Sequence, residues 1–333
     1  MNVFVIGPYG SGTSSVAQLL RYVGLYIGEP HELLPPRPAN ALEGWETPGL
    51  GELNDDLLGL FGADWHSAAR LDVDTLPASL HERLHQRAAT WAARMAQQGH
   101  WVGTDPRLCC TARFWLRLLP EALVVLCVRH PEAAVAAMMQ RQPGPFPDPE
   151  SALAAWRRSF YGAAVDTTGR PRLVLDYDQV LPDPEEATAR LVAFCRTHIP
   201  HYTPPPDMPE QIASHLIPHM RYQTAEPRSI TCYASHDVEG YEALLTADQE
   251  RLTGALRAFP TASLAFDIDR LVQFHRSEMA ATNQSMVLAL ADKDRHIDSL
   301  EAQLATCNMQ LLAKDRYIAT LEARHHQSSV LQQ

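Results

Sequence analysis

The sequence predicts an α/β protein, a mainly parallel sheet flanked by helices, followed by a C-terminal coiled-coil helix. Three observations carry this expectation. Short apolar runs alternate with amphipathic helical stretches, the first apolar run enters a glycine-rich turn that opens a helix, and the end of the chain changes to a heptad pattern.

The first element is the apolar run at residues 3–6, Val-Phe-Val-Ile, which reads as a buried strand. Gly7, Gly10 and Gly12 follow, and glycine lets the backbone turn tightly and approach a ligand closely. Thr13, Ser14 and Ser15 then open a helix predicted over residues 14–23. Backbone N–H groups and the positive end of the helix dipole converge on an anion at such a turn. The spacing is P-loop-like, Gly7, four residues, Gly12, but Thr13 stands where the phosphate-binding lysine belongs. That departure disfavours a plain nucleotide triphosphatase. Ordinary N-capping is the competing account of Thr13 and Ser14.

Further strands are predicted at residues 101–103, 123–128 and 173–176, and helices at 79–97, 131–140, 149–168 and 184–198. In open sheets of this type ligands sit beyond the carboxyl ends of the strands, where the glycine turn and Arg129 both fall. Proline-rich stretches at 34–38, 143–149 and 200–209 read as loops over that rim.

The last part of the chain differs in kind. Asn283, Met286, Leu290, Lys293, Ile297, Leu300, Leu304, Cys307, Leu311, Lys314, Ile318 and Leu321 step alternately by three and four, as a coiled coil requires. Lys293-Asp294-Arg295 recurs as Lys314-Asp315-Arg316, an offset of 21 residues or three heptads. A surface helix folded back on its own domain would need a wider apolar stripe. Homo-oligomerisation through the tail is the expectation, with a first domain at 1–270, the coiled coil at 271–325 and a disordered tail at 326–333.

Composition bounds the function. At 333 residues and 46% hydrophobic content the chain can bury one substantial core plus an appendage. No apolar run is long enough to span a bilayer and no signal-peptide pattern is present, so a cytoplasmic protein is expected. The six cysteines show no C-x-x-C spacing and read as reduced thiols, and the histidines show no metal spacing. A formal charge of −11 argues against general nucleic-acid binding while leaving room for a local pocket for one nucleotide.

Several ordered blocks resemble the bacterial sulfotransferases that use 3′-phosphoadenosine 5′-phosphosulfate (PAPS). The loop from Gly7 to Ser14 is similar to their 5′-phosphosulfate loop. Asn40 to Glu46, Leu53-Asn54-Asp55, Thr104-Asp105-Pro106-Arg107 with Phe114-Trp115, Val124 to Pro131, Tyr177 to Pro184, and Ile217 to Arg221 resemble further family blocks in the family's order. The resemblance spans residues 1–265. It implies sulfuryl transfer from PAPS to a hydroxyl acceptor such as a carbohydrate, with no metal. It also implies that Gly7, Gly10, Ser11, Gly12, Thr13, Ser14 and Arg107 contact the donor, that Arg129 takes its 3′-phosphate, and that Glu46 is the general base.

The chain departs from the pattern at three charged or polar positions. Gly10 replaces the cation before Ser-Gly-Thr, Thr104 replaces the lysine of the Asp-Pro-Arg block, and Ala137 replaces the serine that shares the 3′-phosphate. His130 and Arg21 stand as local substitutes. Around Glu46, Gly44 replaces an aromatic residue and Glu43 a glycine, so a solvated loop carboxylate is an equal reading there. If the rest of the site is competent, a lysine or arginine at Gly10 is expected to raise transfer, less any strain from a positive φ. The alternative is a catalytically degenerate binding module for a nucleotide or glycan, attached to the coiled coil. A pairing of Arg129 with Asp105 or Glu132 is its structural alternative.

Overall fold

The computed structural model describes residues 1–29, 33, 45–46, 48–65, 70–140, 146–213 and 232–259. The chain divides into two compact units, Met1–Ile268 and Asp269–Gln333. The second unit lies outside the described residues, and with it the heptad helix and tail expected from the sequence.

Four strands form the sheet: β1 (Asn2–Ile6), β2 (Trp101–Thr104), β3 (Leu123–Val128) and β4 (Arg172–Asp176). Their order is β2-β1-β3-β4 and every pairing is parallel. All residues of β1, β2 and β3 are buried, as expected for strands covered on both faces by helices. Because strand side chains alternate, one face of the sheet carries Phe4, Ile6, Val124, Leu126 and Val128 into a large core. The other face carries Val3, Val5, Val125, Cys127 and Leu175 into a second core.

Helix α1 (Thr13–Tyr22) packs in the second core through Val16, Ala17, Leu19 and Leu20, together with α8 (Pro184–His198). The first core takes α2 (Pro48–Leu60), α3 (Ala78–Ala96), α4 (Leu108–Leu118), α5 (Pro131–Gln140) and α6 (Pro149–Asp166). Trp91, Trp101, Trp115 and Phe4 fill its centre with ring centroids 5.3–6.0 Å apart, at separations that favour edge-on aromatic packing. A single turn α7 (Tyr177–Val180) leaves β4 directly, α9 (Met208–Gln211) is short, and α10 (Ser235–Leu245) and α11 (Gln249–Ala258) pack against each other. No described helix is long and apolar enough to cross a membrane.

The strand positions agree with the periodicity to within a residue. The differences lie in the helices. Helices α2, α4, α7, α9, α10 and α11 are not anticipated; α2 carries Leu50, Leu53, Leu57 and Leu58 at helical spacing, but Gly49, Gly51 and Gly59 dilute its signal. Pro209, expected in a loop, lies in the first turn of α9, where its missing N–H costs nothing.

Candidate functional site

Parallel pairing puts the carboxyl ends of all four strands on one edge, so the segments 7–12, 105–107, 129–130 and 177–178 gather there. The turn after β1 is shaped by glycine. Gly10 and Gly12 have φ of +84° and +79°, the left-handed region that favours glycine. A Cβ on Gly12 would lie 2.2 Å from the Tyr177 ring, and one on Gly10 would lie 2.7 Å from the Ala134 carbonyl oxygen. The loop is thus seated on α5 and on the residue that follows β4.

Gly12 is the N-cap of α1, and among the described residues no side chain caps that helix. The capping account of Thr13 and Ser14 is therefore overturned: both are half-buried residues inside the first turn. Their backbone N–H groups have no intrahelical acceptor, as at any helix start. Ser11 is fully buried, and its hydroxyl has no hydrogen-bond partner among the described residues. Beneath the loop the Cys127 thiol donates to the Ser11 carbonyl at 2.7 Å. Burial pushes the Cys127 and Cys109 thiols well above the usual range, so both stay neutral under the loop.

Arg129, the first residue after β3, reaches back to this loop. Its Nε donates to Asp178 Oδ1 at 2.8 Å and its Nη1 to the Gly10 carbonyl at 3.4 Å. Its guanidinium carbon stands 5.3 Å from the centre of the Tyr177 ring. The partner expected for a structural Arg129, Asp105 or Glu132, is thus corrected to Asp178, which also accepts the His130 backbone N–H at 3.3 Å. The Tyr177 hydroxyl lies 2.9 Å from Ser15 Oγ on α1, and burial pushes its pKa up to about 12. Behind this pair, burial raises the Asp176 carboxyl, which accepts from the Tyr241 hydroxyl. The His130 ring sits edge-on between Tyr233 and Tyr241, each 5.6 Å away.

Arg107, after β2, is held differently. Its Nε donates to Asp55 and its Nη1 to Asp105, both at 2.6 Å. Asp105 also accepts the Arg107 backbone N–H at 2.9 Å and Asn54 Nδ2 at 3.0 Å. The Asn54 amide oxygen in turn accepts from Thr111 and from the Trp115 indole at 2.9 and 2.7 Å. Burial pushes the Asp105 carboxyl upward against the pull of Arg107. Burial also works against the Arg107 charge, but Asp105 and Asp55 carry its pKa above the ordinary value. Thr104 is buried at the end of β2.

Other sequence candidates fall elsewhere. Arg21 lies in the last turn of α1 with the Trp45 ring 5.1 Å from its guanidinium carbon. Eight residues of helix put Arg21 about 12 Å along the axis from Thr13, so it does not substitute for a cation at the loop. Glu46 is half-buried, next in sequence to Trp45, which packs on the α1 core. Residues 40–44 of its block and the Ile217 to Arg221 block lie outside the described residues. Ala137 is half-buried on α5. Among the described residues no group of three His, Cys, Asp or Glu side chains could hold a metal ion.

Sequence reasoning missed Asp178 and the role of the Tyr177 ring. No local signal could have found them, because the Tyr-Asp pair after β4 meets Arg129 only through the parallel pairing of β3 with β4. It also missed an aromatic group beside the loop, where Tyr9, Trp65 and Phe146 stand in a row with centroids 4.8 and 6.1 Å apart.

The sequence profile described as "Sulfotransferase family" matches residues 2–201. Similar solved structures include the sulfotransferase domain of the curacin biosynthetic pathway, at 10% identity over 62% of this chain and 75% of that one. The sulfotransferase domain of the Synechococcus olefin synthase is 16% identical over 78% and 94%. A sulfotransferase from Mycobacterium tuberculosis is 17% identical over 76% of each chain. The TM-score is 0.37 in each case. The curated proteins gave no significant match.

Proposed function

The chain belongs to the sulfotransferase family, and on that premise we propose that it transfers a sulfuryl group from PAPS to a hydroxyl acceptor such as a carbohydrate. The observation that supports this reading most is the Arg129 guanidinium set against an α1 N-terminus that no described side chain caps. Such an arrangement suits a phosphate, since oriented N–H groups and a nearby cation both favour negative charge. The buried Ser11 hydroxyl, without a partner among the described residues, adds a donor within the same turn.

When bound, the donor supplies an S–O bond that breaks toward its 5′-phosphate as the acceptor oxygen bonds to sulfur. Gly7, Gly10, Ser11, Gly12, Thr13 and Ser14 are assigned to hold the 5′ end through backbone N–H groups and short hydroxyls. Arg129 is assigned to a donor phosphate. Glu46 is proposed to take the acceptor proton as general base. Arg107, with Nε and Nη1 already donated to carboxylates, is assigned a positioning part in the donor site, holding the end of β2 against α2. The heptad tail is proposed to make the protein a homo-oligomer, which light scattering on the full chain would detect, and the protein is proposed to be cytoplasmic.

Calorimetry with 3′-phosphoadenosine 5′-phosphate tests the donor assignment. Micromolar binding is expected, and the absence of heat at millimolar nucleotide rejects it. A second reading, a binding module without turnover, is favoured by Gly10, which places no side-chain cation at the loop entrance, and by the commitment of Arg107 to two carboxylates. Nucleotide binding with no sulfate transfer to a panel of carbohydrate acceptors would select it.

A further inference from the structure

The family's loop cation is replaced by Gly10, and the backbone at that position explains why no cationic side chain fits. Its φ is +84°, and a Cβ there would meet the Ala134 carbonyl at 2.7 Å. We infer that Arg129, delivered from the end of β3, supplies this missing charge to the 5′-phosphate held by the glycine loop, rather than reading the 3′-phosphate. The inference rests on the donor reading above and names the phosphate of that site which Arg129 serves.

Three contacts fix the guanidinium beside the loop. Nη1 donates to the Gly10 carbonyl, Nε is held by Asp178, and the guanidinium carbon stands 5.3 Å from the centre of the Tyr177 ring. That same ring lies directly under Gly12, and its hydroxyl is tied to Ser15 on α1. The cation, the loop and the first turn of α1 therefore share one support. The Arg129 side chain is only 13% exposed, so solvent screens its charge weakly. Nη2 has no partner among the described residues, which leaves one edge of the planar fork for a phosphate oxygen.

The opposite assignment lacks its second half. The serine that would share a 3′-phosphate is Ala137. In the transfer step the acceptor oxygen donates an electron pair to sulfur. The S–O bond to the 5′-phosphate breaks, and its electron pair stays on the phosphate oxygen. Arg129 at the loop is placed to stabilise that developing charge, while the acceptor proton leaves to a base.

Two nucleotides that differ only at the 3′ position test this on the full-length chain. Calorimetry would measure adenosine 5′-phosphate and 3′-phosphoadenosine 5′-phosphate against the wild type, Arg129→Ala and Arg129→Lys. A loop cation predicts that Arg129→Ala weakens both nucleotides by the same factor, roughly tenfold or more, with their affinity ratio unchanged. Arg129→Lys keeps the charge without the fork and is expected to weaken both alike by a smaller factor; it carries the test if the alanine variant does not fold. A loss confined to the 3′-phosphorylated nucleotide overturns the inference and returns Arg129 to the 3′-phosphate. Failure of the wild type to bind either nucleotide would instead overturn the donor reading itself, and the inference with it.

Discussion

Arg107 and Arg129 leave the sheet on either side of β1, just past the carboxyl ends of β2 and β3, and both look like phosphate ligands in the sequence. The fold treats them in opposite ways. Arg107 donates to two carboxylates and stands at the edge of a network that runs through Asn54 to Thr111 and Trp115. Arg129 donates to one carboxylate and one loop carbonyl and covers a tyrosine ring beside an uncapped helix start. The difference teaches that the fixed acceptors around an arginine decide its part. One matched by two carboxylates braces the scaffold, whereas one matched by a single carboxylate and a neutral carbonyl near oriented N–H groups keeps attraction for an anion.

The strongest way to break this comparison is to remove the centre of the brace. Asp105→Ala leaves Asn54 and the Arg107 backbone N–H without their buried acceptor, and about 3–5 kcal/mol of unfolding free energy should be lost. Urea denaturation measures it. A loss under about 1 kcal/mol would mean that the network around Arg107 is not structural, and the contrast with Arg129 would collapse.

Next in size is the seat of the glycine loop. Gly12→Ala combines a φ of +79° with a Cβ inside the contact distance of the Tyr177 ring. About 2–4 kcal/mol should be lost, from the left-handed backbone penalty together with overpacking. A loss of nucleotide binding larger than the loss of stability would sharpen the comparison, because it would place the ligand at the loop rather than near Arg107.

Tyr177 gives a pH-dependent measure of the same support. Its phenol is pushed from 10.0 to about 12 in the folded chain, chiefly by burial. The folded state therefore holds this proton more tightly than the unfolded one. The stabilisation is fully present below pH 10 and is lost as pH rises through 12, a swing of about 2–3 kcal/mol. Melting temperatures of the wild type and Tyr177→Phe across pH 8–12 should converge at the alkaline end. Parallel curves would show that the ring is not buried under the loop.

The smallest effect tests Gly10. The sequence alone favours restoring a lysine there, but the positive φ now found makes Gly10→Lys cost about 1–2 kcal/mol. No gain in sulfate transfer is expected, since the Ala134 carbonyl meets the new Cβ and Arg129 already stands at the loop. A faster variant that melts at the wild-type temperature would overturn the assignment of the loop charge to Arg129.

Much of the scaffold was legible in the sequence because strands buried on both faces are written as short continuous apolar runs. The runs at 3–6 and 123–128 coincide with the inner strands β1 and β3 almost residue for residue. The glycine turn was legible for a similar reason, since positive φ at Gly10 and Gly12 demands glycine at both positions. Helix α2 was not, because its glycines lower helix propensity and its apolar face is recognisable only once β2, α3 and α4 are present to cover it.

What the sequence determined by itself was the family, the strand-turn-helix unit and the list of residues at the strand ends, all of which depend on local spacing. The tertiary structure decided which charges meet. Asp178 follows Arg129 by 49 residues and Asp55 precedes Arg107 by 52, so no local pattern joins either pair. Parallel pairing of β3 with β4 brings the first pair together, and the packing of α2 beside α4 brings the second. Charge–charge contact falls steeply with distance, so a guanidinium acquires its role only when the sheet has fixed its neighbours within a few ångströms.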